Sequence, residues 1–471
     1  MDLADLDAIA LATLVRKKEV SPLELVDAAI ERIEAQNGRL NAVVWKGYDE
    51  ARRVARGPLP AGPFRGVPFL VKDIIARLAG APLAEGSRLG KGYVPTYDSE
   101  LVRRQKRAGL VIVGKTNVPE LGILPTTESV YYGPCKNPWD PTRTPGGSSG
   151  GAAAAVAAGW VPMAHASDGG GSIRIPASCC GLFGLKPTRA RNPLGPDHGD
   201  MFHGLVVEHA ITRSVRDSAA LLDATAGPDV GDPYMAPPPE RPFADEVGRD
   251  PGRLRIGFIR TSPTGTTVHP DCVTAVMRAA ELLESLGHHV EEKMPAIDGP
   301  GLARAFVGMW GGCIGASVAE LAAASGVKPG PDTLEPLTLA LYQMADTTSS
   351  KTHLASLAYV QQMARSFAAY FEDHDVLLSP TNGEPPLPLG TLDSTPGNPI
   401  AGLIRAGVFV PFTPIANLTG QPAMSVPLDE VNGLPIGVQF IGRYGDEATL
   451  FRLAAQLETA RPWSRRRPPG A

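Results

Sequence analysis

The order of apolar patterns along this 471-residue chain predicts an α/β fold. Short β-branched runs recur between longer stretches whose apolar residues return every three or four positions, the signature of strands joined by helices. Hydrophobic residues make up 43% of the chain and charged residues 20%, which supplies a sizeable core and argues against disorder. No repeat of solenoid length breaks the alternation, so strands and helices should lie in separate layers of one body.

The first 40 residues read as two helices. Ser21-Pro22-Leu23-Glu24 combines an N-cap serine, a proline at the first helical position and a capping-box glutamate, while Asn37-Gly38 supplies the stop. Residues 1–60 are thus expected to form a helical arm packed on a body that runs from 61 to 471. Strands are expected at 67–71, 110–113, 162–166, 254–259, 290–293, 376–379 and 436–441, with amphipathic helices between them at 99–108, 214–226 and 271–286. Proline-rich stretches at 236–239 and 383–399 read as surface connections. Residues 299–373 differ in texture, with helical apolar patterns around Met309, Trp310, Cys313, Leu341, Tyr342 and Tyr359 and no clear strand. That segment is expected to cap the site, with Trp310, Cys313 and Tyr342 lining the substrate pocket.

Charge and cysteine content exclude several classes. The net charge of −4 comes from 45 basic and 49 acidic residues without a long run of either sign, so neither a nucleic-acid nor a membrane surface is expected. Five cysteines, Cys135, Cys179, Cys180, Cys272 and Cys313, show no zinc-type spacing and fit reduced thiols in a cytoplasm. The acidic start Met1-Asp2-Leu3 is unlike a secretory signal, and no apolar stretch approaches the roughly 20 residues that span a bilayer.

Chemistry concentrates in two glycine-rich turns. Thr144-Pro145-Gly146-Gly147-Ser148-Ser149-Gly150-Gly151 is the first, and Ser167-Asp168-Gly169-Gly170-Gly171-Ser172-Ile173-Arg174 the second, with Ser148 and Ser172 24 positions apart. Glycine at that density lets backbone N–H groups approach a bound group, and a serine among such donors has an oxyanion site beside it. Lys72, at the end of the apolar run 67–71, lies upstream of both. The nine histidines form no triad motif, which leaves a buried lysine as the candidate base, since burial disfavours its ammonium form.

The set Lys72, Ser148 and Ser172, together with Arg174, Pro176 and Ala177, resembles the amidase signature family, and the resemblance covers most of the chain. It implies a central mixed twisted β-sheet covered by helices on both faces, 61–471 forming the catalytic domain. It also implies a cofactor-free, metal-free hydrolase cleaving amides or carbamates through an acyl-enzyme. By the same resemblance Ser172 is the nucleophile, Ser148 relays a proton beside a cis peptide bond after Gly147, and Lys72 is the base. Backbone N–H groups of Gly169, Gly170, Gly171 and Ser172 would form the oxyanion hole. Asp168 and Arg174 would orient the turn, and Ser149 would hydrogen-bond within the relay. The family usually carries threonine where Gly169 stands, and a small residue or threonine at Ser167. Within the family the second turn and Gly184-Leu185-Lys186-Pro187 look most similar to hydrolases of 6-aminohexanoate cyclic dimer and to bacterial urethanases. Oligomeric state is left open, with a homodimer one option.

Other readings compete. Residues 109–116 match the phosphate-loop pattern, yet four apolar residues fill the gap between the glycines, so a strand is expected there and an NTPase is not. His198, His203 and His209 have neither zincin nor finger spacing. The glutamine-hydrolysing component of a glutaminyl- or asparaginyl-tRNA amidotransferase would use the same Lys-Ser-Ser set within a complex, and a catalytically idle family member would serve as a binding protein.

Overall fold

The computed structural model describes residues 3–470. Among these, eleven strands make one mixed sheet: β1 (Val43–Lys46), β2 (Pro68–Lys72), β3 (Val111–Thr116), β4 (Met163–Asp168), β5 (Phe183–Lys186), β6 (Val207–Thr212), β7 (Arg255–Phe258), β8 (His289–Glu292), β9 (Val376–Pro380), β10 (Ala423–Val431) and β11 (Leu434–Gly442). Their order across the sheet is β1-β3-β2-β4-β6-β5-β10-β11-β9-β7-β8. β2 runs parallel to β3 and β4, and β7 runs parallel to β8 and β9, while the middle of the sheet is antiparallel.

Helices cover both faces, and strand alternation divides the cores between them. Leu70 joins the core beneath helices Pro22–Leu40 and Gly150–Ala157, whereas its neighbours Phe69 and Val71 join the core beneath Ala8–Arg16. All five residues of β2 are buried, so the strand delivers Lys72 into the interior.

Several expectations shift. The capping box forms, with Ser21 Oγ accepting from Glu24 N at 3.2 Å and Glu24 Oε2 accepting from Ser21 N at 2.8 Å. The helix does not stop at Asn37-Gly38; it runs to Leu40, and Asn41 at a φ of 52° terminates it. Asn37 instead uses its side chain to hold Ala42 and Val43. The N-terminal 60 residues are not wholly helical either, because β1 forms an edge of the sheet against β3. The phosphate-loop look-alike lies on β3, where Lys115 is buried against Asp73 at 2.6 Å.

Residues 299–373 fold as three helices, Gly299–Ser325, Pro336–Thr347 and Ser350–Asp373, around a core that includes Met309, Trp310, Ile314, Leu337 and Leu341. The first corrects the expectation about membrane-length segments: at 27 residues, with a mean hydropathy of 1.4 in its best window, it is long and apolar enough to span a bilayer. Half of that window is buried inside the protein, because its glycines and alanines let the other two helices pack closely.

Candidate active site

Lys72 is fully buried, and its Nζ donates to Ser148 Oγ at 2.8 Å and to Ser167 Oγ at 3.0 Å. Burial pushes its ammonium down to about 7, with Asp168, Glu208 and Glu85 partly opposing. Its backbone N–H donates to His165 Nδ1 at 3.2 Å, and His165 Nε2 lies 3.1 Å from Glu208 Oε1, which ties the strand end to its neighbours. The Gly147–Ser148 peptide is cis. Ser148, Ser167 and Ser172 line one cavity, so the three serines and the lysine are brought together from β2, β4 and both turns.

The second turn is held by an ion pair at the end of β4. Asp168 accepts from Arg174 Nε at 3.0 Å and Nη2 at 2.9 Å, and from the backbone N–H groups of Gly171 at 2.7 Å and Ile173 at 3.1 Å. Burial works against its ionisation, but the Arg174 charge and these bonds keep its carboxyl at about 2. Arg174 spends its remaining donors on Thr413 O, Gln439 Oε1 and Asn417 Oδ1. Removing either partner would strand a buried charge, at roughly 3–5 kcal/mol.

This clamp corrects one expectation. Gly171 N–H is committed to Asp168 and is not free for an oxyanion, whereas the N–H groups of Gly169, Gly170 and Ser172 have no acceptor among the described residues. Gly171 matters through shape: its φ of 132° belongs to glycine, and an added Cβ would collide with Thr413 Oγ1. Ser149 also departs from expectation. Its Oγ donates to the Ser167 carbonyl at 3.2 Å and reaches neither Lys72 nor Ser148, and it is Ser167, noted in the sequence only as an unusual residue, that supplies the second hydroxyl on the lysine.

Beside Ser172 opens a large cavity whose walls carry no charged residue. Leu302, Phe306, Val307 and Trp310 of the first cap helix face Ile123, Ile175, Val410 and Leu418 across it. Trp310 stacks on Phe306 at 4.9 Å and lines the smaller cavity of the serines as well. Cys313 and Tyr342 line neither. Cys313 lies between Trp310 and Ser317, which do line the cavity of the serines, but is turned toward the segment carrying Asp200, and Tyr342 sits on Pro336–Thr347, which packs against the first cap helix. The three histidines of the 198–209 region diverge: His203 meets His353 at 2.7 Å, His209 meets Ser218 at 2.9 Å, and His198 lies 3.6 Å from Glu320. All five cysteines are buried and unpaired.

A buried lysine on a serine hydroxyl beside a glycine turn of free N–H donors is the arrangement of a hydrolase, and comparison with known families agrees: the Amidase family model matches residues 24–451, so the chain belongs to the amidase signature family and is an amidohydrolase. Among characterised relatives it is 38% identical to the 6-aminohexanoate-cyclic-dimer hydrolase of Paenarthrobacter ureafaciens, covering 98% of this chain and 96% of that protein. It is 40% identical to a putative amidase of Mycobacterium tuberculosis, covering 99% and 98%. A solved structure of 6-aminohexanoate cyclic dimer hydrolase complexed with substrate superposes with a TM-score of 0.95 at 36% identity, over 99% of both chains.

Proposed function

We propose that this amidohydrolase works through an acyl-enzyme on Ser172, with Ser148 as proton relay and Lys72 as base. The observation that carries the proposal is the buried Lys72 amine, held at about 7 and 2.8 Å from Ser148 Oγ in the cavity of Ser172. A neutral amine has one lone pair and two N–H bonds. With an N–H turned to Ser167, the lone pair is left for the Ser148 proton, and Ser148 in turn draws the proton from Ser172. Ser172 Oγ then attacks the carbonyl, and the N–H groups of Gly169, Gly170 and Ser172 take the oxyanion. Collapse breaks the C–N bond as Ser148 returns the proton to nitrogen, and water releases the acyl group by the same relay. Carbamates fit the same attack.

The uncharged walls of the large cavity favour an apolar acyl group. Glutamine, which an amidotransferase of this family would hydrolyse, carries an α-ammonium and a carboxylate that such walls leave unpaired. The test is turnover of p-nitroanilides, 6-aminohexanoate cyclic dimer and aryl carbamates beside a Ser172→Ala control. Turnover should fall on the order of a millionfold in the variant, and a fluorophosphonate should label Ser172. A label elsewhere with an active Ser172→Ala enzyme rejects the assignment.

A further inference from the structure

The cavity of the serines holds a carboxyl group for which the relay has no use. Glu85 lines it beside Ser148, Ser167 and Ser172, and lines a second small cavity with Arg77, His198 and Glu320 on its other side. Its Oε1 accepts from Ile75 N at 3.3 Å, and among the described residues it has no ion-pair partner. Arg77, which lines the second cavity with it, is paired with Asp197 at 2.9 Å and with Glu320 at 3.0 Å.

The backbone around Glu85 is held in an unfavourable form. Ile75, Glu85 and Leu121 all have left-handed φ values, 63°, 54° and 47°, and Leu121 N–H donates to Glu85 O at 2.8 Å. For β-branched Ile75 this is a true outlier, and such strain persists where surrounding structure fixes a group for use. Here it fixes one carboxyl at the cavity wall.

The two cavities meeting at Ser172 divide the substrate. In the proposed mechanism, on which this inference rests, the proton for the departing nitrogen comes from Ser148, so the nitrogen must lie on the Ser148 side. Ser148 lines the cavity that holds Glu85 and the three serines, and not the large uncharged one. The acyl group then occupies the large cavity and the leaving group the one lined by Glu85. A nitrogen there must point its lone pair at Ser148, and an acceptor on its N–H sets that direction.

We infer that the Glu85 carboxyl accepts the N–H of the scissile amide, which makes secondary and primary amides of small amines the preferred substrates over esters and tertiary amides. Burial pushes the Glu85 carboxyl up to about 7; the Ile75 N–H and Arg77 oppose this, and Asp73 and Glu320 add to it. The acceptor therefore strengthens as pH rises through neutrality, in step with the freeing of Lys72, whose ammonium Glu85 helps to support.

The test compares an N-propyl amide with the propyl ester of the same apolar acid in the parent, Glu85→Leu and Glu85→Gln. For Glu85→Leu, kcat/KM on the amide should fall about tenfold to a hundredfold, the range for a hydrogen bond to a charged group, with the ester changed less than about threefold. Glu85→Gln, nearly isosteric, should lower the amide-to-ester ratio by roughly threefold to tenfold. Its activity on both substrates should also persist to lower pH, because a charge that holds up the Lys72 pKa is gone; the amide-to-ester ratio, and not that limb, reads the contact with the scissile N–H. An unchanged ratio in Glu85→Gln, or parallel loss on amide and ester, overturns the inference even if Glu85→Leu fails to fold. Activity surviving in Ser172→Ala would reject the underlying mechanism instead, whereas an inactive Ser172→Ala beside an unchanged Glu85 ratio rejects the Glu85 role alone.

Discussion

Two lysines end strands of the same sheet, and burial pushes both ammonium groups down to about 7. Lys72, at the end of β2, faces two hydroxyls beside a cavity. Lys186, at the end of β5, donates to the Pro187 carbonyl at 2.8 Å and lies within the fields of Arg174 and Asp168. A lowered pKa thus does not by itself make a base. The lone pair needs a proton to take and a route by which that proton arrives, and a carbonyl offers neither. Perturbed titration marks candidates, and the partner atoms decide among them.

The comparison breaks first at Lys72. Lys72→Met should lower amide turnover about a hundredfold to ten-thousandfold, the range for general-base loss, and flatten the rise of parent activity with pH through about 7. Lys72→Arg should fail equally, since guanidinium stays protonated. A working arginine variant would mean that positive charge suffices and that Lys72 differs little from Lys186.

A smaller effect sharpens the difference in partners. Ser167→Ala removes one of the two hydroxyls on Lys72, and kcat should fall about tenfold with KM nearly unchanged, as for the loss of one buried hydrogen bond. If Ser167→Ala matched Lys72→Met in severity, Ser167 and not Ser148 would be the relay.

At Lys186 the expected effect is on stability rather than turnover. Its folded pKa lies below the unfolded value, so the unfolded chain binds more protons between about 7 and about 10.5 and parent stability rises with pH across that window. Lys186→Met removes this dependence. Its melting temperature relative to the parent should be highest at pH 7 and decline toward pH 10, while its pH–activity profile stays that of the parent. Loss of the activity limb in this variant would overturn the distinction between the two sites.

How much of the molecule is legible in its sequence follows from how local each constraint is. The two serine turns and Lys72 are legible because turns of this tightness demand glycine beside serine in contiguous sequence, and because Lys72 closes an unbroken apolar run. β5 and β6 are not. β5 is four residues with a glycine among them, and β6 reads Val-Glu-His-Ala-Ile-Thr, where three polar residues interrupt the apolar pattern yet are all buried, Glu208 beside His165 of β4 and His209 beside Ser218. β10 is hidden by Pro427, which sits where its register against β11 shifts between Val426 and Asp429. Ser167 is visible only as an oddity, since a hydroxyl on Lys72 depends on β2 and β4 lying side by side. Glu85 belongs to no motif, and its place in the cavity comes from a backbone form that sequence periodicity does not encode.

The glycines of the cap's first helix have a consequence for how selectivity can drift. Gly311 and Gly315 form a notch that receives Met344 and Ala345 of the neighbouring helix; at Gly311 a methyl would meet only the movable end of Met344, but at Gly315 it would meet the Ala345 Cβ, which cannot turn away. Towards the start of the same helix, Phe306, Val307 and Trp310 form a wall of the large uncharged cavity. Gly315 therefore acts as a spacer set behind the wall: a methyl added there must push the two helices apart and shift the wall, resizing the cavity without altering any residue that lines it. The volume of that cavity is thus adjustable from its back side.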